Sequence, residues 1–425
     1  MSPDRVPTAH ERPTVDPSRA TPVGEADRIR SLDVLRGFAV LGILTMNIGS
    51  FSMPAAAYQN PTVWGSLDGL NGWVWRLTHL FGDLKFMAIF SMLFGAGVVL
   101  MAERREARGA RAGGLHLKRM FWLLVFGLVH AYALWYGDIL VWYALTGTLV
   151  YVFRRRRPRT LIALALLSWI VGSGVMAAAG LSVSQWPPED VAEAVADMDP
   201  PREALEAEVA TYRGGWLRQN EHRVPQSLSM HTEVYPVWGL WRVGGLMLFG
   251  MALFKLGVFS ALARARTYGA MIAAGLLVGI PLISLGMARN AATDWAAPDF
   301  FFLGSLYNYW GSIPVALGWV GVVMLICQSG ALSGLTARLA AVGRMAFTNY
   351  IAQTVICTTL FYGHGLGLFG SIDRVGQAAI VVAIWTLLIV ASPWWLSRYQ
   401  AGPLEWLWRS LVYGRRQPFR RVAGG

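Results

Sequence analysis

RIRSLDVLRGFAVLGILTMNIGSF, residues 28–51, opens the first apolar run of this 425-residue chain and decides how the rest is read. A basic lead-in, Arg28 and Arg30, precedes an Asp33–Arg36 pair at i,i+3 and then an apolar segment set with Gly37, Gly42 and Gly49. The segment has the length and composition of a membrane span. Two of its residues resist that setting. Arg36 can extend back to the headgroups, but Asn47 lies about 16 Å further along the helix. An amide at that depth needs a partner on a neighbouring helix or in a wet cavity, so this edge is expected to face the protein interior.

Composition agrees with that reading. With 55% hydrophobic and 15% charged residues and a mean hydropathy of +0.42, the chain is too apolar for a soluble domain and reads as an all-α, polytopic integral membrane protein. Apolar runs at 31–53, 81–102, 118–136, 138–153, 160–182, 236–258, 267–288, 303–327, 340–362 and 376–397 predict about ten transmembrane helices. Cys327 and Cys357 fall inside such runs, which argues against a disulfide framework or a metal cluster. No P-loop, GxSxG or HExxH pattern occurs.

The net charge of +12 is organised by side. Basic blocks at 104–119, 154–159, 255–266, 338–344 and 398–421 fall on one face of the ten-span arrangement. The segment 183–235, where Glu and Asp outnumber Arg, falls on the other. The positive-inside rule then puts both termini in the cytoplasm and explains the charge without nucleic acid. The expected organisation is a disordered tail over 1–27, five-helix membrane halves at 28–182 and 236–397, an extracytoplasmic loop with short helices at 183–235, and a basic tail at 398–425. The 183–235 segment is broken at Pro187-Pro188 and Pro200-Pro201 and reads either as a lid over an outward-facing cavity or as a solvated loop, the loop being the favoured reading. The stretch 54–79 reads as a neutral linker.

LDVLRGFAVLGILTMNIGSF (32–51), KFMAIFSMLFGAG (85–97), GLVHAYALWYGDILVWY (127–143), GRMAFTNYIAQTVICTTLFY (343–362) and GPLEWLWR (402–409) together resemble the YeiB-like bacterial inner-membrane proteins, a family with a domain of unknown function. The resemblance covers most of the chain between about residue 30 and residue 410, and implies a multi-pass protein of the bacterial inner membrane. More distantly, the chain is similar to the transmembrane acyltransferases, which include lysosomal heparan-α-glucosaminide N-acetyltransferase and the bacterial surface-glycan O-acyltransferases. In the bacterial group a His follows the RG arginine by eleven residues; here Asn47 holds that position, as an Asn does in the lysosomal enzyme.

Chemistry is sought among polar groups that lipid would exclude. His130 and Asp138 flank a tight turn, and a carboxylate beside an imidazole fixes its tautomer and raises its basicity. With Asn47 and Lys85 they form the candidate catalytic set, expected around one cavity. Asp83 balances Lys85, His79 is an alternative base, and Arg242 is a further buried candidate. His222, His231 and His364 read as surface or interface residues. On the inner side, Arg36 and Arg344, followed by Asn349 and Gln353 at helical spacing, suit the phosphates of an acyl-CoA co-substrate. Glu405 is expected to pair with one of these Arg residues. No tightly bound cofactor or metal is expected. The leading reading is an acyltransferase moving an acyl group from cytoplasmic acyl-CoA to a hydroxyl or amine of an extracytoplasmic glycan, lipid or small molecule. A secondary transporter and a non-catalytic component of an envelope or biosynthetic complex are the alternatives.

Overall fold

The computed structural model describes residues 29–421, so the tail expected over 1–27 lies outside the described residues. In chain order the helices are α1 (Arg30–Ser52), α2 (Gly69–Phe81), α3 (Lys85–Glu106), α4 (Gly113–Val129), α5 (Leu140–Val150) and α6 (Pro158–Ser182). Three short helices follow, α7 (Pro188–Met198), α8 (Arg202–Tyr212) and α9 (Trp216–Ser229). The chain then re-enters the bundle with α10 (Leu240–Lys255), α11 (Ala265–Ala274), α12 (Ile280–Ala292) and α13 (Ser305–Ser329). It ends with α14 (Ser333–Arg344), α15 (Ala346–Phe361), α16 (Arg374–Arg398) and α17 (Pro403–Tyr413).

α1 is apolar nearly all round and is buried accordingly, from Ser31 to Leu35 and from Ala39 to Leu44. It packs against α3, α14, α15 and α16. Glycine allows the closest of these approaches: a Cβ on Gly37 would stand 1.9 Å from the Leu339 carbonyl oxygen, and one on Gly343 would stand 1.9 Å from that of Asp33. Backbone meets backbone there, as small residues permit between membrane helices.

Each of the ten apolar runs carries helix, but among the described residues eight continuous helical stretches, not ten, are long and apolar enough to cross a membrane. The chain is a polytopic membrane protein. Two runs fall short for local reasons. In the fourth, residues 135–139 form a non-helical turn, which leaves α5 only 11 residues. In the ninth, the helix breaks at Met345, where the Glu405 carboxylate takes the freed N–H groups of Phe347 (2.8 Å) and Thr348 (3.1 Å) and the Thr348 hydroxyl (2.6 Å). Glu405 therefore caps α15 rather than serving an arginine alone, as a carboxylate does at a helix N-terminus. Burial pushes its carboxyl above the ordinary value.

The arginine-rich blocks meet at one end of the bundle. Glu106 pairs with Arg154 and Arg155, Lys255 donates to the Arg156 carbonyl, and Trp408 donates to that of Arg119. Two expectations are corrected elsewhere. The linker 54–79 holds α2, which bends into α3 through Leu84 at φ 62°. The segment 183–235 is a docked cap, not a solvated loop. Tyr212 stacks on Phe369 at 4.6 Å, Arg213 donates to the Phe369 carbonyl (2.8 Å), and Gly363 N–H donates to Tyr212 (2.8 Å). Alternating charge hid this docking, because the contacts are made by aromatic rings and backbone groups.

Candidate active site

α4 ends in a wide π turn, His130–Leu134, a local widening that recurs at functional positions. The turn swings His130 inward, against α15. Asp138, on the returning strand of chain, does two things at once: Oδ2 accepts the Val141 N–H at 2.8 Å, capping α5, and Oδ1 accepts the His130 Nδ1 proton at 2.7 Å. With Nδ1 committed, Nε2 is the acceptor, and the Thr354 hydroxyl donates to it at 2.9 Å. Asp138, His130 and Thr354 thus form a carboxylate–imidazole–hydroxyl relay, the arrangement that activates a hydroxyl nucleophile. The three are 2%, 1% and 1% exposed, so the relay is closed to both lipid and water.

The cap closes it. Helix ends leave carbonyls unsatisfied, and α9 takes three successive ones from the π turn: Ser227 Oγ donates to Ala131 (3.0 Å), Arg223 Nε to Tyr132 (3.1 Å) and Trp216 Nε1 to Ala133 (2.9 Å). From α8, Glu208 accepts the Ala55 N–H at 3.0 Å just beyond α1. Burial pushes the Glu208 carboxyl up to about 7, against the opposing pull of that N–H. His222, read from the sequence as a surface or interface residue, lies inside this contact, with Nε2 3.7 Å from Glu208 and Nδ1 3.1 Å from the Tyr212 hydroxyl.

A second polar cluster lies across α1. A cavity of about 220 Å³ between α1, α2 and α16 is lined by Thr45, Gly49, Tyr58, His79, Asp83 and Gln377 among others. Asp83 Oδ1 accepts from the Tyr58 hydroxyl at 2.7 Å, and Oδ2 faces His79 Nδ1 at 3.3 Å. Lys85 sits behind this wall, fully buried, donating to the His79 carbonyl (2.5 Å) and to Asn308 Oδ1 (2.7 Å).

These positions revise the single cavity expected around Asn47, Lys85 and His130. At 3.6 residues per turn, Asn47 points away from Thr45, Gly49 and Met53, which line the cavity, and shares its face with Phe51, whose ring packs 4.1 Å from Trp135. Asn47 is half-buried on the relay's side of α1, without a side-chain hydrogen bond among the described residues. His130 and Asp138 come together as expected; Lys85 belongs to the other cluster. Thr354 gave no sequence signal, being one hydroxyl among several on α15. His79 was a candidate base in the sequence, but its pairing with Asp83 was not, and the i,i+4 spacing would have shown it had 69–81 been read as helix.

At the arginine-rich end, Arg36 pairs with Asp33 at 2.8 Å and lies within the field of Arg119. Arg344 follows Gly343, whose backbone meets that of Gly37, the residue after Arg36, at the helix crossing. Asn349 and Gln353 do not form an open ridge: they are 3% and 2% exposed, and their amides fasten helices, Asn349 to the Val342 carbonyl and Ser392 (both 3.1 Å) and Gln353 to the Val40 carbonyl (3.0 Å).

The chain is 33% identical over 399 residues to the uncharacterized protein YeiB of Escherichia coli (strain K12), an alignment covering 91% of this chain and 96% of that protein. It belongs to the YeiB-like family. It is also 30% identical to the uncharacterized protein YxaH of Bacillus subtilis (strain 168), over 93% of this chain and 96% of that one. An uncharacterized 39.9 kDa protein from the amylase 3′ region of Bacillus acidopullulyticus is 26% identical, over 93% and 97%. The family described as "Protein of unknown function (DUF418)" matches residues 253–415, a span that includes Asn308, Thr354 and Glu405 of this YeiB-like chain.

Proposed function

We propose that this protein is an acyltransferase of the bacterial inner membrane, passing an acyl group from cytoplasmic acyl-CoA to a hydroxyl or amine on an extracytoplasmic glycan, lipid or small molecule. The observation that carries the reading is the buried relay of Asp138, His130 and Thr354, with hydrogen bonds of 2.7 and 2.9 Å in sequence. Thr354 Oγ attacks the thioester carbonyl as His130 Nε2 takes its proton. The C–S bond breaks, and the same proton leaves with the CoA thiol. The acceptor then attacks the acyl-threonine ester, gives its proton to His130, and the C–O bond to Thr354 breaks as Oγ regains a proton. Asp138 keeps the imidazole oriented and stabilises its charged form. The Asn47 amide, on the relay's side of α1, is assigned to the developing oxyanion. Arg36 and Arg344 hold the donor phosphates, and the cap opens to admit the acceptor.

The test is release of free CoA thiol by the purified protein, offered a series of acyl-CoA thioesters of increasing chain length. His130→Ala should lower the rate by ~10²–10⁴, the contribution of positioned acid–base catalysis. Arg344→Ala should chiefly weaken donor binding, because phosphate is held equally in ground and transition states. Folded protein that releases no thiol from any member of the series defeats the proposal and favours secondary transport, for which the charged cavity at Asp83 is the supporting observation.

A further inference from the structure

Lys85 and Arg242 are both 0% exposed within the helical bundle, on α3 and α10. Their hydrogen-bond partners are neutral. Lys85 donates to the His79 carbonyl and Asn308 Oδ1. Arg242 Nη2 donates to Ser312 Oγ at 2.5 Å, and its guanidinium lies 4.5 Å over the Tyr309 ring. Asn308 and Ser312 are one turn apart on α13, and the two basic groups they hold are close enough to repel.

The carboxylate that reaches both electrostatically is Asp83. Its oxygens are already engaged, Oδ1 by Tyr58 and Oδ2 by Asn308 Nδ2 (2.8 Å) and His79. Arg242 Nε and Nη1, meanwhile, are buried without a hydrogen-bond partner. A buried guanidinium with unused donors is strongly unfavourable unless something answers its charge, and ionisable groups inside a membrane protein mark ligand paths. With the Asp83 oxygens committed elsewhere, the Arg242 guanidinium has no carboxylate hydrogen-bonded to it among the described residues, and its charge is left unanswered.

We infer that Lys85 and Arg242, with Ser312 and Asn308, form a binding site for an oxyanion, the carboxylate or phosphate of a ligand that enters from the cavity lined by His79 and Asp83. Asn308 bridges Asp83 to Lys85, so the site lies one side chain behind the cavity wall. A rotation of the Asn308 amide opens it. The inference goes beyond acyl transfer and does not rest on it, because binding requires no donor and no turnover.

The experiment is equilibrium dialysis of the full-length protein in phosphatidylcholine nanodiscs in Tris buffer free of acetate and chloride, with radiolabelled butyrate in one arm and inorganic phosphate in the other, each repeated with chloride at equal concentration. Saturable binding of one or both, weakened at least tenfold by Arg242→Gln and by Lys85→Met but unchanged by Gly174→Ala on α6, where an added methyl meets nothing within 4 Å, supports the site; the arm that binds identifies carboxylate or phosphate. Arg242→Lys, which keeps the cation, should bind within a few-fold of wild type and serves if Arg242→Gln does not fold. Binding of neither anion, displacement by chloride at equal concentration, or affinity unaltered in both charge-removing variants overturns it.

Discussion

Cutting the His130–Asp138 contact gives a loss that can be worked from the geometry. Both side chains are buried and joined at 2.7 Å, and a hydrogen bond involving a charged group contributes about 1.5–3 kcal/mol. Asp138 also caps α5 through Val141, a role that contributes about 1 kcal/mol. Asp138→Ala should therefore destabilise by about 2.5–4 kcal/mol, and Asp138→Asn, which keeps an acceptor for Val141, by about 1.5–3. His130→Ala removes the same shared bond, so the double variant should lose less than the sum of the singles by about 1.5–3 kcal/mol. The assay is reversible unfolding in mixed micelles titrated with sodium dodecyl sulfate, followed by tryptophan fluorescence. A coupling below about 0.5 kcal/mol would refute the reasoning, since it would mean that the pair is not held together in the folded protein.

The Glu208 carboxyl, held near 7 against an ordinary 4.5, binds its proton more tightly with the cap docked than with it open. That contribution to docking is complete below pH 4.5 and is lost as pH rises to about 7, so proteolytic opening of the cap should increase up to ~tenfold per unit across this window and then level off, and Glu208→Gln should flatten the response. At the helix crossing, Gly343→Ala places a methyl group 1.9 Å from the Asp33 carbonyl and should abolish folded protein in size-exclusion chromatography, whereas Gly49→Ala meets nothing within 4 Å and should be silent. Topology predicts that a cysteine at the exposed position 157 is shielded from impermeant thiol reagents in intact cells while one at the exposed position 203 is labelled. The reverse pattern would invert the orientation.

How much of this was legible in the sequence follows from range. The sequence of α1 showed an interior-facing edge because the Asn47 amide needs a partner away from lipid, but its burial on nearly all sides and the backbone contact at Gly37 depend on neighbours hundreds of residues away. His130 and Asp138 were readable as a pair because eight residues and a turn separate them. Their third partner was not, since Thr354 lies 224 residues from His130 and is brought to it only by the packing of α15. The helix α2 escaped notice because its 13 residues are too few to cross a membrane, and the cap because hydropathy cannot distinguish a polar helix in solvent from one docked by its carbonyl and aromatic contacts. Asn349 and Gln353 looked like ligand groups for the same reason: spacing gives a face, but not whether a neighbouring backbone already occupies it.

The central claim is that Thr354 carries the acyl group. Protein incubated with an acyl-CoA in the absence of acceptor, quenched in acid and digested, should yield a peptide containing Thr354 that is heavier by the mass of the acyl group less one hydrogen. That adduct should be absent from Thr354→Val and strongly reduced in His130→Ala. Thiol release that continues unchanged in Thr354→Val, with no acylated peptide in the wild-type protein, would contradict the account.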